Sequence, residues 1–190
     1  MKKRQFYALL VLIVLFTFAS CNFRNGHNNN GLADTLLTKT IFFPEKLLEL
    51  DGVQFQGVDS FVSESTGKAK IISIIDGTCM KCIIHQLNRM DSIFNRIKGN
   101  DVALVFVLNV NKADSSYFMR NLQPAINATG ILLWDNAYNF ELRNKLLTSD
   151  AYLRTFLVNE KNRIIQYGNP IMNPVILTEY EEKMKRLGVK

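Results

Sequence analysis

Ile71-Ile72-Ser73-Ile74-Ile75-Asp76-Gly77-Thr78-Cys79-Met80-Lys81-Cys82 is the stretch whose reading decides the fold. The near-continuous apolar run from Ile71 to Ile75 reads as a strand covered on both faces. Two cysteines at C-x-x-C spacing then open a segment in which Ile83, Leu87, Met90, Phe94 and Ile97 recur at steps of four and three. Gln86, Arg89, Ser92, Asn95 and Arg96 fill the opposite face, and Gly99 marks the end of this amphipathic helix. A strand, a sharp turn and two thiols at a helix start point to redox chemistry.

Working outward, Val102 to Leu108 is a second near-continuous apolar run, so strand, helix and strand form one crossover unit with parallel strands. Downstream, a helix is expected over 114–122, closed by Pro124, then a short strand over 131–134 and a helix over 140–147. Thr155 to Val158 and Arg163 to Tyr167 flank the polar turn 159–162, which suits a hairpin containing a residue at positive φ. A last helix runs from about Pro174 to Leu187. Upstream, Ile41, Phe42, Phe43, Leu47, Leu48, Leu50, Val53 and Phe55 supply short strands or a capping segment. The pattern predicts one α/β domain over 41–190, a mixed central sheet with helices on both faces.

The N-terminus has a different texture. Lys2, Lys3 and Arg4 precede an apolar run from Phe6 to Ala19 and then Ser20-Cys21, the layout of a secretory signal over 1–20. The run is shorter than the roughly 20 residues that a membrane-spanning helix needs. Phe18-Ala19-Ser20-Cys21 resembles the lipobox of bacterial lipoproteins, which implies cleavage before Cys21 and lipid attachment to it. A flexible tether over 21–40 follows, rich in Asn between Asn22 and Gly31. Loss of the three basic residues of the signal lowers the net charge from +6 to +3, which removes the electrostatic case for nucleic-acid binding. It also leaves Cys79 and Cys82 as the only thiols, outside the cytoplasm where disulfides persist.

Taken together, the chain resembles thioredoxin-fold proteins, most nearly the membrane-tethered TlpA/ResA-type thiol-disulfide oxidoreductases, over residues 41 to 190. Lys68 to Cys82 matches the strand leading into the active-site motif, and Thr155 to Gly168 matches the late antiparallel hairpin. The resemblance implies thiol-disulfide exchange with no cofactor beyond the redox-active disulfide. Cys79, just ahead of the helix, is the accessible nucleophile, and Cys82, one turn inward, resolves the mixed disulfide. Unpaired amides and the helix dipole favour a thiolate at that position. The partners implied are extracytoplasmic thiol or disulfide proteins and a membrane electron-transfer protein. The location implied is the periplasm-facing side of a bacterial membrane, the outer favoured over the inner because Asn22 stands where an inner-membrane retention Asp would be.

Several residues depart from the family pattern. Asp76-Gly77-Thr78 replaces the aromatic approach to the motif, and Met80-Lys81 replaces its Gly-Pro. Asp76 either relays a proton to Cys82 or shapes the turn with Gly77; Thr78 adjoins Cys79; Lys81 either stabilises the thiolate or is a surface charge. Leu153-Arg154-Thr155 stands where the resemblance predicts a cis-proline, and a guanidinium at Arg154 would favour the Cys79 thiolate. Two alternatives use the same residues differently: a copper or zinc site from Cys79, Cys82 and His85, or a non-catalytic interaction lipoprotein on a thioredoxin scaffold. A peroxiredoxin pattern is not met, since Asp76 occupies the position where that family has Thr. Ile83 after Cys82 excludes a haem-attachment motif, and no phosphate-binding glycine loop is present.

Overall fold

The structure is a computed structural model that describes residues 35–188 except 46, 52–53, 58–60, 62–64, 77–78, 100, 112–114, 123–124 and 147–148. The readings of the signal, of Cys21, of the tether as far as residue 34 and of Thr78 therefore lie outside the described residues.

Among the described residues seven strands form one mixed sheet: β1 (Leu48–Asp51), β2 (Gln54–Gly57), β3 (Ala69–Asp76), β4 (Val102–Asn109), β5 (Ile131–Trp134), β6 (Thr155–Val158) and β7 (Ile164–Tyr167), in the order β2-β1-β5-β4-β3-β6-β7. The two long apolar runs are its parallel centre, β3 and β4 paired from Ala69↔Val102 to Asp76↔Asn109, with β5 parallel on the far side of β4. β6 runs antiparallel to β3 and forms the expected hairpin with β7, whose turn holds Asn162 at φ 56. Asn tolerates this left-handed conformation better than most residues.

Among the described residues the sheet is accompanied by α1 (Met80–Asn95), α2 (Ser115–Tyr117, continued as a π-helical turn over Phe118–Leu122), α3 (Asn139–Asn144) and α4 (Ile176–Arg186), with a 3₁₀ turn over Ala151–Arg154. On one face, Ile83, Leu87, Met90 and Phe94 of α1 and Ile176, Tyr180 and Met184 of α4 bury against Ile71, Ile75, Leu104, Phe106 and Leu108. On the other, Leu36, Ile41, Phe61 and Phe140 of α3 bury against Ile72, Ile74, Val105 and Val107. Successive strand residues point to opposite faces, so a strand covered on both sides has to be apolar throughout. The expectation of helices on both faces is met.

Three boundaries differ from the sequence reading. The helix expected over 140–147 ends at Asn144, because Lys145 takes φ 47 and turns the chain out of the helix. The helix expected over 114–122 is largely a π turn. The packed domain also begins ahead of residue 41: Leu36 is buried, the Thr38 amide donates to the Ile164 carbonyl at 2.8 Å, and Thr40 pairs with Arg163. A tether reaching to residue 40 is thereby corrected, since sparse apolar residues joined the sheet edge through backbone hydrogen bonds that periodicity does not register.

A buried carboxylate holds α1 to the sheet. Asp91 accepts from the Thr129 and Gly130 amides at 2.9 and 3.0 Å and from Asn95 Nδ2 at 2.7 Å. Three donors replace its lost hydration, which makes burial of the charge tolerable. The helix that carries the cysteines is thus pinned to the loop entering β5.

Candidate active site

Cys79 is the N-cap of α1, in an extended conformation (φ −130°, ψ 107°), and its carbonyl accepts the Ile83 amide at 3.0 Å. Its side chain is disulfide-bonded to Cys82 across a Cα–Cα distance of 5.1 Å. The Cys79 side chain does not cap the helix, and among the described residues no acidic residue occupies its first turn to offset the positive end of the helix dipole. Both cysteines are exposed. Ile83 and Leu87 take the core-facing positions of α1, and Cys82, within its first turn, opens towards solvent.

Asp76 ends β3, and its carboxylate lies 3.5 Å from the Arg154 guanidinium, with the two side chains about a third and a quarter exposed. Residues singled out separately in the sequence thus meet as an ion pair. Arg154 closes the 3₁₀ turn Ala151–Arg154, capped by Asp150, whose carboxylate accepts the Tyr152 amide at 2.9 Å. The next residue, Thr155, starts β6 opposite Ser73, and their hydroxyls share a buried hydrogen bond at 3.0 Å. Arg154 occupies the position immediately before β6, and no peptide bond among the described residues is cis. The cis-proline implied by the resemblance therefore has no counterpart at the position before β6.

Lys81, Cys82, His85 and Gln86 of α1 form one wall of a groove of about 460 Å³. Ala151 of the 3₁₀ turn and Asn169, Ile171 and Met172 of the loop between β7 and α4 form the rest. Sequence reading missed these last four residues, which lie far along the chain from the cysteines. Their one local signal was the turn sequence Gly168-Asn169-Pro170. Gly168 adopts φ +137, and a Cβ there would meet Ile176 Cγ1 at 2.5 Å, so both conformation and space require glycine.

Among the described residues, no group of three His, Cys, Asp or Glu side chains is placed to hold a metal ion, and Cys79, Cys82 and His85 do not form one. The paired sulfurs would first need reduction to act as thiolate ligands. Among the same residues no helix is long and apolar enough to cross a membrane.

No family model matches the chain, and no curated protein matches it. Solved structures do. A thioredoxin-like protein from Porphyromonas gingivalis superposes with a TM-score of 0.51 at 17% identity, covering 80% of this chain and 92% of that one. A Bacteroides vulgatus protein proposed to be a thiol-disulfide oxidoreductase gives 0.52 at 13% identity, covering 78% and 97%. Enterococcus faecalis AhpC gives 0.53 at 15% identity, covering 82% and 97%. At these identities the likeness is one of fold. The chain is a thioredoxin-like α/β domain with an exposed Cys-x-x-Cys disulfide at a helix N-terminus.

Proposed function

We propose that this protein is a thiol-disulfide oxidoreductase of the bacterial cell envelope. The observation that carries the reading is the exposed Cys79–Cys82 disulfide at the uncapped start of α1, within a thioredoxin-like fold. In the reduced protein, the Cys79 thiolate attacks one sulfur of a substrate disulfide, forming a mixed disulfide and releasing the other substrate sulfur as a thiolate. The Cys82 thiolate then attacks Cys79, releases the second substrate thiol and restores the Cys79–Cys82 disulfide. Two electrons pass to the substrate. A dithiol partner in the membrane would return them to this pair.

The helix start favours the thiolate that initiates exchange. Arg154 adds less to this than a lone guanidinium would, because Asp76 partly offsets its charge. The chain's beginning supports lipid attachment at Cys21 after removal of residues 1–20, with the domain facing the periplasm. Substitution Cys21→Ser should abolish incorporation of labelled fatty acid and membrane association.

The decisive test of the chemistry is trapping with Cys82→Ala. This variant should accumulate mixed disulfides through Cys79 with extracytoplasmic proteins, and a Cys79→Ala, Cys82→Ala control should accumulate none. Failure to capture any partner, together with a reduction potential below about −300 mV, would mark the bond as a static structural disulfide.

A further inference from the structure

The groove beside Cys82 sets an apolar wall, Ile171 and Met172, opposite one that carries Lys81 and His85. Met172 is 58% exposed, and Ile171 stands next to it in the lining. Methionine's flexible, polarizable side chain adapts to varied apolar partners. The ionisable side chains lining the groove are Lys81 and His85; among the described residues no Asp or Glu lines it. The nearby carboxylate of Asp76 lies outside the lining and is engaged by Arg154. The N-terminus of α1, with no acidic residue in its first turn, adds positive potential at the same end.

The far wall is preformed. Asn169 is buried; its Oδ1 accepts the Ile171 amide at 2.9 Å, and its carbonyl accepts the Met172 amide at 3.1 Å. The Gly168 amide donates to the Thr155 carbonyl at 2.9 Å, and the Tyr180 hydroxyl donates to the Gly168 carbonyl at 3.0 Å. The loop that presents Ile171 and Met172 is therefore tied to both β6 and α4. A preformed wall costs little ordering entropy when a ligand docks.

We propose that this groove selects protein segments whose reactive cysteine is flanked by an apolar side chain on one side and a carboxylate on the other. The proposal rests on the thiol-disulfide exchange reading above. The apolar side chain packs against Met172 and Ile171 while the carboxylate faces Lys81 and the helix N-terminus. This places a substrate disulfide next to the cysteine pair and raises the rate of attack by Cys79. Electron flow is as before: the protein dithiol is oxidised and the substrate disulfide becomes two thiols.

The test uses the reduced protein and symmetric disulfides of three capped tripeptides, Leu-Cys-Glu, Leu-Cys-Lys and Gly-Cys-Glu. Each rate is divided by the rate of the same peptide with dithiothreitol, which removes intrinsic differences in disulfide reactivity. At low ionic strength the Leu-Cys-Glu disulfide should react about threefold faster than Leu-Cys-Lys, with the difference shrinking in salt. It should react about fivefold faster than Gly-Cys-Glu. Lys81→Glu should reverse the charge preference, and Met172→Ser should erase the preference for leucine. Ratios within about 1.5-fold for all three peptides in the unsubstituted protein would overturn the specificity while leaving exchange intact. Absence of reaction with every disulfide would overturn the exchange reading as well.

Discussion

Asp76 and Arg154 are far apart in sequence yet meet at 3.5 Å beside the strand end that leads to Cys79. Each partly offsets the charge of the other. Asp76→Ala should leave more positive potential there and raise the thiolate fraction of reduced Cys79, whereas Arg154→Ala should lower it. Thiolate ultraviolet absorbance followed against pH reads this directly, and identical curves for both variants would show that the pair merely shapes the turn into β6. A second residue has a simpler outcome. The Tyr167 hydroxyl is buried without a hydrogen-bond partner among the described residues, and burial pushes its pKa well up. Removing an unsatisfied buried hydroxyl relieves its desolvation, so Tyr167→Phe should stabilise the fold by about 0.5–1 kcal/mol in urea denaturation. Destabilisation would mean that the hydroxyl finds a partner after all.

At the level of elements, β3 combines an apolar interior with a buried lysine near its start. Lys70 Nζ donates to Asn162 Oδ1 at 2.9 Å and to the Lys68 carbonyl at 3.0 Å, tying β3 to the β6–β7 turn. Desolvation lowers its pKa from 10.5 to about 8. Between these values the unfolded chain holds a proton that the folded one has released, so stability should rise as pH goes from about 8 to 10.5. Below that window both states are protonated and the full cost of burying the ammonium is present. The rise should be on the order of 2 kcal/mol and should vanish in Lys70→Met, a comparison that removes the contribution of other titrating groups. Parallel pH profiles of the two proteins would refute it. The same element shows why patterning worked for β3 and β4: burial on both faces demands a continuous apolar run, a signal contained within eight residues. Patterning failed for α3, whose end depends on Lys145 adopting a left-handed conformation that nothing in its side chain announces.

For the whole molecule, the disulfide contributes little to holding the chain together. The linked residues are three apart, so closing their loop removes little entropy from the unfolded state, about 2 kcal/mol at most. The layers that bury Phe94 against Tyr180, with ring centroids 5.2 Å apart, and Phe156 against Tyr167 at 5.5 Å lie in the two separate cores. A Cys79→Ala, Cys82→Ala variant should therefore remain folded, melting within about 8 °C of the unsubstituted protein. A larger loss or failure to fold would assign the bond a structural role.

By itself the sequence determined the α/β class, the central parallel strands, the cysteine-bearing helix and the late hairpin. Apolar period and turn chemistry are local properties, written within each segment. It also located the C-x-x-C pair and the absence of proline before β6, both legible from residue identity alone. Only the tertiary structure decided that Asp76 pairs with Arg154, that Cys82 opens outward while Ile83 takes the core, and that Met172 shares a groove with Lys81 and His85. Those outcomes join residues that are distant along the chain, or depend on the direction in which a helix face turns. The antiparallel pairing of β3 with β6 sets the first of these, the packing of α1 and α4 on one sheet face sets the others, and no single segment encodes either.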